Sequence, residues 1–206
     1  MTDYNDDFYS QITDASVSAA NVVVPWVLQH TKAYKVIDVG CGTAAWAATA
    51  QALGCDVKGV DAHVPEERLF ILPEQFERMD LSEGVDCTGY DLAMTLEVAE
   101  HLPESAAAKF VAGLCKAKYV LWSAAIPGQG GLHHINEQWT TWWAEHFADN
   151  GYAGSCDIRW AHWDDRRVAG YYRQNLVVWA RPDDLRAMNM SIGVSDDVHP
   201  DRALGL

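Results

Sequence analysis

The stretch Lys35–Trp46, KVIDVGCGTAAW, decides the fold. Val36, Ile37 and Val39 form a short apolar, β-branched run closed by glycine, the pattern of a parallel strand buried on both faces. Gly40 and Gly42 then give a tight turn, and the Ala-rich segment Thr43–Gly54 reads as a helix with a glycine stop. A strand, a glycine turn and a helix in that order bring backbone close to a nucleotide at the carboxyl end of a strand. The glycines alone are a weak fingerprint, so the neighbouring segments must say which nucleotide.

Further strands are expected at Cys55–Asp61, near Phe76–Met79, at Tyr90–Glu97, in Lys118–Gly128 and in Tyr172–Arg181. Helices are expected at Ser16–Gln29, with Pro25 forcing a kink or a fresh start, at Pro103–Ala117, and at Asn136–Gly151 with Asn136 as its cap. Strands alternating with helices predict a mostly parallel sheet covered on both faces. The expected organisation is a single domain over residues 1–181, of which 1–30 form an N-terminal arm and lid helix carrying Phe8 and Tyr9. Residues 182–206 are expected to be a C-terminal surface tail.

The chain has 206 residues, 49% hydrophobic and 21% charged, with a formal charge of −14. That is enough chain for one sizeable core. No apolar run approaches the ~20 residues that cross a bilayer, and the acidic start MTDYNDDFYS is unlike a signal peptide. The expected location is the cytoplasm. Five cysteines without close pairing read as reduced thiols. The negative charge disfavours double-stranded nucleic acid as a partner.

Asp38, Asp80 and the acid-rich turn after the fourth expected strand, in YDLAMTLEVAEHLP, separate the nucleotide readings. Asp38 stands two positions before Gly40, where it would repel a pyrophosphate but suits a ligand with an ammonium and a sulfonium. Asp61 lies 19 residues after Gly42 and suits ribose hydroxyls under either reading. Asp80, in RMDL, can accept from an adenine amine. Together VIDVGCGTA, GVDAH, RMDL and YDLAMTLEVAEHLP, in this order, resemble the class I S-adenosylmethionine-dependent methyltransferases. The resemblance spans residues 36–103. It implies a Rossmann-like, seven-stranded, mostly parallel sheet with helices on both faces and the last strand antiparallel. It also implies S-adenosyl-L-methionine as cofactor. Asp38, Gly40, Cys41 and Gly42 would then line the methionyl end, Asp61 with Ala62 and His63 the ribose, Asp80 and Leu81 the adenine, and Glu97 the sulfonium. Many relatives have glycine where this chain has Ala44.

Methyl transfer is an in-line displacement in which a hydroxyl acceptor must also lose a proton. Histidine titrates near neutrality and is the natural base. His134 is the first candidate, His133 the second and His101 the third. Glu100, His101, His133, His134 and Glu137 offer ligands for a hard cation, but their spacing demands none and no metal is assigned. The tryptophans Trp139, Trp142, Trp143, Trp160 and Trp163 and the arginines Arg159, Arg166, Arg167 and Arg173 are possible walls for an acceptor. The expected acceptor is a small hydroxylated metabolite such as a sugar. The alternatives are a nucleobase or RNA, a non-catalytic cofactor binder, and an NAD-dependent oxidoreductase, which Asp38 disfavours.

Overall fold

The computed structural model of the chain describes residues 6–200, with side chains from residue 13 onward. Phe8 and Tyr9, expected to serve as lid aromatics, lie outside the described side chains. In chain order the elements are α1 (Asp6–Thr31), β1 (Lys35–Val39), α2 (Ala45–Ala52), β2 (Asp56–Asp61), β3 (Phe76–Arg78) and β4 (Leu92–Leu96). They continue with α3 (Ala107–Leu114), β5 (Tyr119–Ser123), α4 (Thr140–Asp149), β6 (Ala153–Ser155), α5 (Asp157–His162), α6 (Gly170–Asn175), β7 (Val177–Ala180) and α7 (Pro182–Ala187). Among the described residues no helix is long and apolar enough to cross a membrane.

The seven strands form one sheet in the order β3-β2-β1-β4-β5-β7-β6. Strands β1 to β5 pair in parallel, and β7 runs antiparallel to both β5 and β6. Successive strand residues point to opposite faces, and the two cores follow that alternation. Val36, Leu92, Met94, Leu121 and Val178 face α1 and α2. Ile37, Ala93, Val120, Trp122 and Trp179 face α3 and α4. Phe147 stacks on Trp179 at 4.2 Å between ring centroids, and Trp143 packs 5.0 Å from Trp122. With both faces covered, the strands need no polar side, which is why their sequences read as continuous apolar runs.

Several local expectations change. Pro25 sits inside one continuous helix, α1. Asn136 does not cap α4, which starts four residues later at Thr140; it is buried, its side-chain oxygen accepts from Gln138 Nε2 at 3.1 Å, and its backbone N–H donates to the Glu100 carbonyl. Tyr172–Asn175 belongs to α6, and only Val177–Ala180 of the expected last strand pairs in the sheet. Residues 182–200 are tied to the body, with Leu185, Met190 and His199 all buried.

Helix α3 lies very close to the chain at Val85. A Cβ built on Gly113 would sit 2.0 Å from the Val85 carbonyl oxygen. Glycine to alanine in a helix ordinarily stabilises by roughly 1 kcal/mol. Here overpacking against backbone reverses the sign, and Gly113→Ala is expected to destabilise by about 1–3 kcal/mol. Denaturant unfolding measures it; a more stable variant would contradict this packing.

Candidate active site

The strand order reverses between β1 and β4, so the connections leaving their carboxyl ends diverge and open a crevice, the usual ligand position in such sheets. A cavity of about 560 Å³ lies there. It runs along the carboxyl ends of β2 and β1 to those of β4 and β5, with Thr13 and Ser16 of α1 on its wall.

The first turn is built for close approach. Gly40, Gly42 and Ala44 all have left-handed backbone, at φ of 74°, 51° and 61°. A Cβ on Gly40 would sit 2.5 Å from Val98 Cγ2, so only glycine fits between the loop and the turn after β4. Alanine at position 44 takes the left-handed conformation at a cost of roughly 1–2 kcal/mol.

The acids divide by how they are held. Asp61 ends β2, and its carboxylate accepts from the amides of Gly42 (3.0 Å), His63 (2.7 Å) and Val64 (3.1 Å). It therefore ties the glycine turn to the chain leaving β2. Asp80 is exposed and caps a short turn by accepting from the Ser82 amide and hydroxyl, which lower its pKa. Glu97, at φ 55°, follows β4, and its amide donates to the Ser123 carbonyl at 2.9 Å. Its carboxylate accepts from Gln129 (2.6 Å) and Asn175 (3.1 Å), and Asn175 also donates to Gln129 Oε1 (2.8 Å). Burial raises the Glu97 pKa against those hydrogen bonds.

Past Glu97 stands a second polar group. Glu100 is fully buried, and burial, with Glu97 nearby, pushes its pKa well above the usual carboxylate range. The backbone amides of Glu100 itself and Ala125 face the carboxylate without closing a full hydrogen bond. His134 Nε2 is 4.0 Å from Glu100 Oε1, and His134 Nδ1 meets Glu137 Oε1 at 3.1 Å. Glu137 also accepts from the amides of Gly128 (2.8 Å) and Gly130 (2.6 Å), so one carboxylate fixes both the glycine loop and the imidazole. His101 stands edge-on to His134, ring centroids 4.9 Å apart. Burial, reinforced by His134, takes its pKa down to about 4.

Of the residues singled out in the sequence, Gly40, Cys41, Gly42, Asp61, Ala62 and His63 line the cavity. So do Asp80, Leu81, Glu97, His101 and His134. Two do not. Asp38 shares the α2-facing side of β1 with Val36, is 2% exposed, and accepts from the Ala47 amide at 3.1 Å beneath the loop. His133 is exposed and contributes its carbonyl to His101 Nδ1. None of the five expected tryptophans and none of the four arginines lines the cavity. Trp143 and Arg159 are buried, and Arg167 pairs with Asp165. The aromatic wall comes instead from Trp46, Tyr171 and Tyr172, with Tyr172 bonded to Ser16 at 3.0 Å. Gln129 and Asn175 were not singled out. The only trace of them is that both belong to polar segments, GQGG and YRQN, adjoining apolar strands.

The family follows from comparison with known proteins. A family model described as a methyltransferase domain matches residues 21–153. The chain is a class I S-adenosylmethionine-dependent methyltransferase. Solved structures share the fold. The methyltransferase domain of a bacterial CtHen1 is 26% identical, with 66% of this chain and 87% of that chain covered and a TM-score of 0.51. Magnesium protoporphyrin IX methyltransferase from Synechocystis PCC 6803, solved with S-adenosylhomocysteine, is 17% identical, with 88% and 90% covered and a TM-score of 0.57. A methyltransferase from Archaeoglobus fulgidus is 16% identical, with 73% and 75% covered and a TM-score of 0.58. No curated protein sequence matches the chain. The cofactor of this methyltransferase is S-adenosylmethionine.

Asp38 has a measurable signature. Burial, opposed by the Ala47 amide and reinforced by Asp61, pushes its pKa up to about 7. A carboxyl raised on folding favours the folded state while protonated, so its contribution is lost as pH rises from about 4 to about 7. Asp38→Asn keeps an acceptor for Ala47 and removes the titration. The Tm of wild type relative to Asp38→Asn is expected to fall across that window; parallel Tm-against-pH curves would contradict the burial of an ionisable Asp38.

Proposed function

We propose that this methyltransferase transfers the methyl group to a hydroxyl oxygen of a small, neutral acceptor, a sugar or related metabolite. The observation that carries the reading is the lining of the cavity. Among the described residues it holds three carboxylates (Asp61, Asp80 and Glu97) and three imidazoles (His63, His101 and His134), and no lysine or arginine. Such a lining repels phosphorylated and carboxylated acceptors and offers acceptors of hydrogen bonds to hydroxyl groups. Its volume falls in the roughly 300–1,000 Å³ of small-molecule sites. The net charge of −14 disfavours a nucleic-acid polymer. The free cysteines suit a reducing compartment, in keeping with a cytoplasmic enzyme.

The residues present fit the cofactor. Bare backbone at Gly40 and Gly42 allows close contact, with Cys41 between them. Asp61 keeps lone pairs for ribose hydroxyls beyond the three amides it already accepts, beside Ala62 and His63. Asp80 and Leu81 border the adenine, and Asp80 accepts from its amine. Glu97 faces the cationic centre. Asp38 acts from below, by holding the start of α2. The bound cofactor supplies an electrophilic methyl on a sulfonium. The chain's own work is to align the acceptor and to stabilise loss of its proton. His134 and His101 stand at the acceptor end, past β4, where Leu102, Leu132 and Tyr171 supply apolar walls. His133 acts through its carbonyl on His101.

Three measurements test this. Release of S-adenosylhomocysteine is expected with neutral polyols, sugars, nucleosides or phenols; turnover only with phosphorylated or amine acceptors would overturn the acceptor class. His134→Ala is expected to lower kcat about 10²-fold or more and to leave cofactor affinity within about twofold. An unchanged kcat would make His134 structural. Asp61→Ala is expected to weaken calorimetric binding of S-adenosylhomocysteine at least about tenfold, the scale of a lost charged hydrogen bond. Unaltered affinity would remove Asp61 from the cofactor site.

A further inference from the structure

We propose that Glu100, His101 and His134 form a site for a divalent first-row transition-metal ion, with Zn²⁺, Co²⁺ or Mn²⁺ as occupant. One ligand atom from each of the three lies within 4.8 Å of the others, and no second such group of histidine, cysteine or carboxylate side chains occurs among the described residues. Ligands at about 2.0–2.2 Å from a tetrahedral ion stand about 3.3–3.6 Å apart, so side-chain shifts of about 1 Å close this set on a metal.

The hydrogen bonds around the cluster orient it. His101 Nδ1 donates to the His133 carbonyl at 3.3 Å, and His134 Nδ1 donates to Glu137 Oε1 at 3.1 Å. With Nδ1 protonated on both rings, each Nε2 carries a lone pair. A second group that accepts the Nδ1 proton, fixing ring and tautomer, is the usual support of a metal-binding histidine. Glu100 is the independent observation. Its side chain is fully buried, and neither oxygen closes a hydrogen bond to any described residue. A buried carboxylate without a partner is costly, and here it faces another lone pair, His134 Nε2, at 4.0 Å. A cation among the three resolves both conflicts.

Two imidazoles with one carboxylate select a transition metal over Mg²⁺ or Ca²⁺, which prefer all-oxygen sets. Three protein ligands leave positions open. The inference deepens the proposed function and rests on it for its chemical role. The open position receives the acceptor hydroxyl, and coordination lowers the pKa of that hydroxyl. Its proton leaves to solvent, the acceptor oxygen bonds the methyl carbon, and the C–S bonding pair returns to sulfur, leaving a neutral thioether. Each Nε2 is then a ligand, and activation of the hydroxyl by the metal replaces direct proton transfer to His134.

The test needs neither acceptor nor cofactor, so it is read separately from the methyltransferase reading. The full chain is stripped with a chelator and titrated with Zn²⁺ by calorimetry and with Co²⁺ by visible absorption. One equivalent is expected to bind, with Co²⁺ bands displaced by Zn²⁺. Glu100→Gln, nearly isosteric, is expected to weaken binding at least about tenfold. His101→Ala does the same from the more open side of the site and serves if Glu100→Gln folds poorly. Gly131→Ala changes no ligand but places a methyl 2.3 Å from His134 Nε2, and it too is expected to lose the metal. Absence of Zn²⁺ and Co²⁺ uptake by the wild type, or wild-type affinity in the folded variants, overturns the proposal.

Discussion

The pairing of β1 with β4 is the constraint on which the site depends. Parallel strands deliver their carboxyl ends to one edge of the sheet, and the order β3-β2-β1-β4-β5 makes the chain turn in opposite directions on either side of that pair. The crevice is thus a consequence of topology before any side chain is chosen. Asp61 and Asp80 stand on one side of it, where β2 and β3 end. Glu97, Glu100 and His101 stand on the other, where β4 ends, joined by Gln129 and His134 from the chain after β5. The proposed arrangement, a nucleotide at one end of the cavity and an acceptor at the other, uses this separation.

Carboxylates do the assembling. Asp61 holds the glycine turn through the Gly42 amide, Glu97 binds Gln129 and Asn175, and Glu137 ties Gly128 and Gly130 to His134. Asp61 and Glu97 join segments far apart in sequence at the rim of the cavity, and Glu137 closes a local loop of the chain after β5. Backbone strain is present at the same rim: of five described non-glycine residues with left-handed backbone, Ala44, Glu97 and His133 stand there, and Lys32 and Asn189 lie elsewhere. Non-glycine residues so held cost of order 1–3 kcal/mol each and persist only where the surroundings enforce them. The rigid sheet beneath supplies that support, with Thr95, Leu96 and Ser123 buried at the root of the crevice.

What was legible in the sequence was local. The apolar runs Val36–Val39, Leu92–Leu96 and Tyr119–Ser123 announce buried strands because both faces of the sheet are covered. Gly40 and Gly42 announce a turn, and the acids Asp61 and Asp80 fall where strands end. The three-residue β6 is too short and too poor in β-branched residues to show a period. Asn136, a good cap by type, spends its side-chain oxygen on Gln138 instead. The hydrogen bond from Asn175 to Glu97 spans 78 residues and that from Gln129 spans 32, so no local pattern encodes either. The tryptophans misled for a physical reason: a large aromatic ring serves a core or a surface as well as a pocket, and Trp143 went to the core while Trp139 and Trp160 stand exposed away from the cavity.

The central claim is that cofactor and acceptor share this one cavity, with the reactive end of the cofactor directed at Glu100, His101 and His134. A crystal structure with S-adenosylhomocysteine tests it most directly. The account predicts the ribose on Asp61, the adenine beside Asp80, and the sulfur facing an open chamber walled by His101, His134 and Tyr171. A ligand bound elsewhere, or a sulfur turned away from the histidines with that chamber closed, would contradict it.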